Sequence, residues 1–399
     1  MCNLGGKKRG CCATSAGGGA GTPVIQPARS GRQDGTVRVL VAPDKFAGTL
    51  SAVEAAVAIA QGWQRRAPHD EVLQVPMSDG GPGFLDVLHA GLGGDLHAVS
   101  VSGPYGEPTP ATLLLSRDTA YIESAQACGL HLTPTEQRDP GRASSFGVGQ
   151  LVDEAVSAGA RTVVIGLGGS ATNDGGAGLL RALGATANAP MDQGPLALAG
   201  LGYVDLTTAR ARLDGVRIVA ASDVDNPLLG LIGATNVYGP QKGVTEDRLQ
   251  HLDRCLEALA VATDRKIADA KGAGAAGGLG FALLLLGAQR RPGVGLVADA
   301  VGLSRFARWA DLVVTGEGSF DFSSRSGKVP YGVAEIAAQA LRPCIALAGR
   351  VLVGSRERRA MGIESAYSML DLVGEEAAFG QPHDSLVRLA ERVARTWSR

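Results

Sequence analysis

Five polar loops carry residue types able to bind and move a phosphoryl group. Asp44 and Lys45 lie in APDKFAGTL, Asp79 in MSDGGPG, and Asn173 with Asp174 in IGLGGSATNDGGAG. Asp223 and Asn226 lie in ASDVDNPLLG, and Glu317, Asp321 and Lys328 in VVTGEGSFDFSSRSGKV, while Lys242 stands in GATNVYGPQKG. Carboxylates can hold a divalent cation beside phosphates or take the proton of an acceptor hydroxyl, and lysines offset the charge on a moving phosphoryl group. Gly168 and Gly169, followed by Ser170 and Thr172, can bring backbone N–H groups close to an anion. Asp174, in that same loop, would repel a bare phosphate and suits a metal ion, a hydroxyl or a proton. One acid in one loop reads as a cap or an Asx-turn. Five loops with the same grammar read as a site.

What must position these loops is a set of buried strands. VRVLVA (37–42), EVLQVP (71–76), RTVVIG (161–166), VRIVAA (216–221) and DLVVT (311–315) are short apolar runs, each delivering one loop. In open α/β sheets the carboxyl ends of the strands face one crevice, where ligands bind. Helices follow the loops. Ser51 and Glu54 have capping-box spacing ahead of Val53, Ala56, Val57 and Ala60, and Thr245 precedes Leu249, Leu252, Leu256 and Leu259 at helical spacing. KGAGAAGGLGFALLLLG (271–287) reads as a glycine loop entering an Ala/Leu helix, and SLVRLAERVARTW as an amphipathic terminal helix. Between them, the alternation in Ala111–Leu115 and Ala120–Glu123 predicts a partly antiparallel sheet.

Composition narrows the function. The 399 residues suffice for two domains, and a net charge of −1 with 4% aromatic residues offers neither a nucleic-acid nor a membrane surface. No apolar run approaches a membrane span. The 57 glycines are about twice the usual share, and many follow apolar runs directly. Cys2, Cys11, Cys12, Cys128, Cys255 and Cys344 form no CxxC pair and no Cys/His cluster, so free thiols in a reducing, cytoplasmic setting are expected. Residues 1–36 lack both apolar periodicity and a secretory core and are expected to be a disordered extension.

A P-loop is absent, because GxxxxGK[ST] does not occur. Instead APDKFAGTLSAVEAA, PMSDGGPG, IGLGGSATNDGGAGLLRALGA, ASDVDNPLLG, GATNVYGPQKG, GAGAAGGLG and VVTGEGSFDFSSRSGKVPYGVA, in this order, resemble the signature segments of the type I glycerate kinases. The resemblance runs from about residue 37 to the end. It implies Mg²⁺-dependent transfer from ATP to the 2-hydroxyl of D-glycerate, giving 2-phosphoglycerate, by a monomer or homodimer. It also implies an α/β fold in which a flavodoxin-like domain is built from residues 37–90 and 290–399, with a second mixed α/β domain, 91–289, inserted. The active site is then expected in the cleft between them. The family pattern differs at Ala47 (usually a second lysine), Pro82 (usually an acid), Ser319 and Ser323.

Within this reading Asp321 is expected to be the base, since its loop could close over a small acceptor. Asp174 and Asp223 are expected to serve the metal or a substrate hydroxyl. Lys45, Asp79, Gly168, Gly169, Ser170, Thr172, Asn173, Asn226, Lys242, Glu317 and Lys328 are expected to contact substrate or phosphate. Two rivals are a non-catalytic glycerate- or nucleotide-binding regulator and an oxidoreductase. The latter is disfavoured because no GxGxxG opens a helix with an acid about 20 residues on.

Overall fold

The computed structural model describes residues 35–321 and 328–398, so all but the end of the expected extension lies outside the described residues. In chain order the strands are β1 (Arg38–Val41), β2 (Glu71–Gln74), β3 (Asp95–Ser102), β4 (Pro108–Ser116), β5 (Thr119–Glu123), β6 (Thr162–Gly166), β7 (Thr186–Ala187), β8 (Val204–Asp205), β9 (Arg217–Ala221), β10 (Gln289–Arg291), β11 (Leu312–Phe320), β12 (Cys344–Val351) and β13 (Ser365–Ser368). One sheet has the order β13-β12-β11-β1-β2 and is parallel throughout. A second has the order β10-β9-β6-β5-β4-β3, parallel from β10 to β5 and antiparallel from β5 to β3, and β7 and β8 form a small antiparallel pair of their own. The alternating segments of the sequence are β4 and β5, and they supply the antiparallel half.

The apolar runs are continuous because helices cover both faces of each sheet. Side chains alternate across a strand. Val39, Val41, Ile345 and Leu347 therefore pack against helices Ala52–Arg66 and Pro382–Trp397, through Ile59, Trp63, Leu386 and Val393. Leu40, Val313 and Ala346 face the opposite way, onto helices Phe84–Leu92, Gly293–Val301 and Val329–Gln339. That second core also contains Leu114, Val164 and Val219 from the other sheet. Helices Phe84–Leu92 and Gly293–Val301 are thus sandwiched between the sheets. The far face of the second sheet, with Leu113, Ile122, Val163 and Ile165, is closed by helices Phe146–Ser157, Ala177–Ala182, Glu246–Ala262 and Ala275–Leu285. The last of these is not a plain helix, since Ala276, Gly277 and Gly278 take positive φ and turn the chain sharply. Among the described residues no helix is long and apolar enough to cross a membrane.

Where the sheets meet, the loop after β2 lies directly on the loop after β6. The N–H of Gly168 donates to Gly80 O at 3.2 Å. A Cβ at Gly166 would lie 2.5 Å from Gly80 O, and one at Gly169 (φ 74°) would lie 2.8 Å from Pro82 Cγ. At Gly168 a Cβ would collide with the Gly81 backbone. No other residue permits this approach. Gly168→Ala is therefore expected to lower unfolding stability by about 1–3 kcal/mol, as overpacking does. An unchanged midpoint in urea unfolding would show that the two loops are not held in contact.

Candidate active site

The loop after β1 sets Lys45 between two acids. Its Nζ lies 3.7 Å from Asp79 Oδ1 and 3.9 Å from Asp44 Oδ1. Burial works against the lysine's charge, but Asp79, Asp44 and Glu123 outweigh it and hold the pKa above the ordinary value. Asp44 is buried, and burial, with Asp79 adding to it, pushes its carboxyl up to about 7 against the opposing pull of Lys45 and Lys328. Asp79 also accepts from Gly81 N at 3.0 Å, an Asx-turn that fixes its direction.

Lys45 and Asp79 line one cavity of about 860 Å³ together with Gly168, Gly169, Asp223 and Lys328. Asn226 and Tyr238 close its far side, and the Tyr238 hydroxyl donates to Asn226 Oδ1 at 2.8 Å. Asp223 caps helix Gly293–Val301, accepting from Gly293 N at 3.1 Å and Val294 N at 3.4 Å. Burial first, and then the neighbouring charge of Asp79, push its carboxyl up to about 6. Two carboxylates that repel each other across a glycine-lined cavity suit a divalent cation, which needs one or two carboxylates plus phosphates and water. Among the described residues no cluster of three His, Cys, Asp or Glu side chains could hold a metal unaided. Lys328 lies at the mouth, 3.9 Å from the buried Glu317.

The glycine loop divides into two parts. Gly168 and Gly169 face the cavity, whereas Ser170, Thr172, Asn173 and Asp174 turn inward and are buried. Asp174, expected to serve the metal or a substrate hydroxyl, is fully buried and is not among the residues lining the cavity. Its oxygens accept from Ser145 N and Ser145 Oγ, both at 2.8 Å, from Gly176 N at 3.1 Å and from Gly178 N at 3.2 Å. Two of these donors belong to the turn after β6 and two to Ser145, which opens helix Phe146–Ser157, so the carboxylate ties the starts of two helices together. Asn173 donates to Thr235 Oγ1 at 3.0 Å, while its buried Oδ1 has no hydrogen-bond partner among the described residues. Lys242 is buried rather than facing the cavity, and donates to Ser170 Oγ at 3.1 Å and Thr172 O at 2.7 Å. Burial lowers its pKa to about 8, against the opposing influence of Cys128 and Asp174. It anchors the loop from behind. Asp321 stands at the end of β11, where Ser319 Oγ donates to it at 3.4 Å, and it is not among the residues lining the cavity. Most of the segment expected to close over the acceptor, including Ser323, lies outside the described residues.

Sequence and structure comparison places this arrangement. The profile of the glycerate kinase family matches residues 39–398. The chain belongs to the glycerate kinase family. It is 39% identical over 372 residues to a glycerate 2-kinase of Escherichia coli K12, covering 90% of this chain and 98% of that protein. It is also 39% identical over 370 residues to a glycerate kinase of Bacillus subtilis 168, covering 90% and 97%. A crystal structure from Salmonella typhimurium LT2, provisionally named glycerate kinase 2, superposes with a TM-score of 0.78 at 38% identity, over 91% of this chain and 98% of that one.

Sequence reading missed Glu123 in this family member. It ends β5 of one sheet, yet its carboxylate accepts from Gly83 N at 3.0 Å and Leu85 N at 3.4 Å, capping a helix that belongs to the other. Only the burial of a lone acid at the end of an apolar run could have signalled it. Burial pushes its carboxyl from 4.5 up to about 7, against those N–H bonds. A raised folded-state pKa contributes stability that is present below the unfolded value and lost as pH rises through the folded one. Relative to Glu123→Gln, the wild type should therefore lose about 3 kcal/mol between pH 4.5 and 7. A stability difference independent of pH over that window would contradict the protonated cap.

Proposed function

We propose that the protein transfers the γ-phosphoryl group of ATP to the 2-hydroxyl of D-glycerate, giving 2-phosphoglycerate and ADP. The observation that carries this reading is the cavity in which Lys45, Asp79, Asp223, Lys328 and the Gly168–Gly169 backbone converge. Lys45 and Lys328 offset charge on the phosphates and on the glycerate carboxylate. The exposed glycine backbone lets an anion approach closely. Asp79 and Asp223 would hold Mg²⁺, which when bound neutralises charge developing on the phosphates. Neither Asp44 nor Asp321 lines the larger cavity, but Asp44 fits the base better, since it lines the adjoining one beside Lys45, with a carboxyl near 7, close to the pH at which a general base works well.

The order of the first sheet supports a flavodoxin-like domain built from residues 37–90 and 290–399, with 91–289 inserted. β10 belongs to the second sheet and ends at Arg291, which moves the proposed boundary just beyond it.

The two kinds of lysine should separate on mutation. Lys45→Met should lower turnover strongly at an almost unchanged melting temperature. Lys242→Met should lower the melting temperature as well, because it removes the anchor of the glycine loop. Identical behaviour of the two variants would contradict this division.

³¹P NMR of a mixture of protein, ATP, Mg²⁺ and D-glycerate tests the function. ADP and 2-phosphoglycerate are the expected products, and Asp44→Asn should form them about 10²–10⁴-fold more slowly. Binding of both substrates without product would instead favour a regulatory homologue. The 3-phosphate would overturn the regiochemistry.

A further inference from the structure

The first sheet changes direction between β1 and β11. From β1 the chain leaves to helix Ala52–Arg66 on one face, and from β11 to helix Val329–Gln339 on the other. The helices that follow these strands thus lie on opposite faces, and at such a point a crevice opens at the strands' carboxyl ends, where doubly wound sheets bind nucleotides. The crevice is occupied by two cavities contiguous with the catalytic one. The first, about 330 Å³, shares Lys45 and Pro82 with it and is lined by Thr49, Ser51 and Asp86. The second, about 150 Å³, shares Ala47 and Thr49 with the first; Phe46, Met369, Leu370 and Phe379 give it an apolar lining, to which Arg350 and Ser319 add polar groups.

Gly318 and Gly349 lie side by side on β11 and β12 and form part of the slot's wall. A Cβ on Gly349 would lie 2.5 Å from Gly318 O. Phe379 is 56% exposed although its neighbours Phe46 and Met369 are buried. An aromatic side chain left open beside a narrow apolar slot is a stacking surface for a flat ring.

The three cavities therefore run from apolar, through hydroxyl- and carboxylate-lined, to lysine- and glycine-lined. A purine nucleotide has the same order of parts: an apolar flat base, a hydroxylated ribose and an anionic phosphate chain. We propose that the slot between Phe46, Met369, Leu370 and Phe379 binds the nucleobase of the phosphoryl donor, with the ribose near Thr49 and Asp86. This assignment rests on the kinase reading, because the phosphates fix which end of the row is which. It also predicts that donor binding spans Ala47, where the small side chain leaves the passage between the two crevice cavities clear.

The test uses the full-length protein and compares ADP with inorganic tripolyphosphate, which lacks base and ribose, by isothermal titration calorimetry. Phe379→Ala removes the stacking face, and Leu370→Trp fills the slot from a half-buried position. Each should weaken ADP about tenfold or more while leaving tripolyphosphate affinity and melting temperature unchanged. Lys45→Met, in contrast, should weaken both ligands. ADP affinity unchanged in both slot variants would overturn the proposal while leaving the kinase reading intact. So would a selective loss of ADP binding in Tyr238→Ala, which would place the base at the far side of the larger cavity. Failure of the wild type to bind ADP at all would overturn the kinase reading and the slot together.

Discussion

The backbone contact between residues 80–83 and residues 166–169 is the constraint on which the rest of the site depends. Each loop ends a strand of a different sheet, and the contact is made by backbone and the ring of one proline. Gly168 N donates to Gly80 O, and Gly166 and Gly169 leave space that the carbonyl of Gly80 and the ring of Pro82 fill. Bringing the loops this close puts Asp79 of one half and Asp223 of the other along one cavity wall. Two further groups hold the same junction. Glu123 reaches from β5 to cap helix Phe84–Leu92, and a Cβ at Gly293 would strike the carbonyl of Asp79 while its N–H is held by Asp223. The interface is built from caps and glycines, so small shifts in it translate into changes of the distances between the acids.

Behind this contact lies a layer of buried polar groups whose task is support. Asp174 joins Ser145 to the turn after β6, and Lys242 pins Ser170 and Thr172. A buried ammonium held by a hydroxyl and a carbonyl is costly to desolvate, and its lowered pKa reflects that cost.

Much of the architecture was legible in the residues. Apolar runs of four to six residues followed by glycine-rich loops mark β1, β2, β6, β9 and β11, and alternation marks β4 and β5 as antiparallel. The capping box at Ser51 and Glu54 forms as its spacing predicts. The site was legible in its loops and less so in its individual side chains. Sequence assigns Asp174, Asn173 and Lys242 to the ligand because an acid, an amide or a lysine beside glycines looks the same whether it points outward or inward. Which way it points is decided by unpaired N–H groups elsewhere, such as those of Ser145 and Gly178, and these have no signature in the sequence. Glu123 was hidden for the converse reason, since its partners, Gly83 and Leu85, lie about 40 residues away at the start of helix Phe84–Leu92.

If the two glycine loops and the loop after β1 form one binding surface, ligands should protect them together. Hydrogen–deuterium exchange measured with and without saturating ADP, Mg²⁺ and D-glycerate tests this directly. The account predicts slowed exchange in peptides covering residues 44–50, 79–83 and 166–170, with helix Glu246–Ala262 unaffected. Protection confined to one of these loops, or appearing only elsewhere, would contradict a site assembled at their contact.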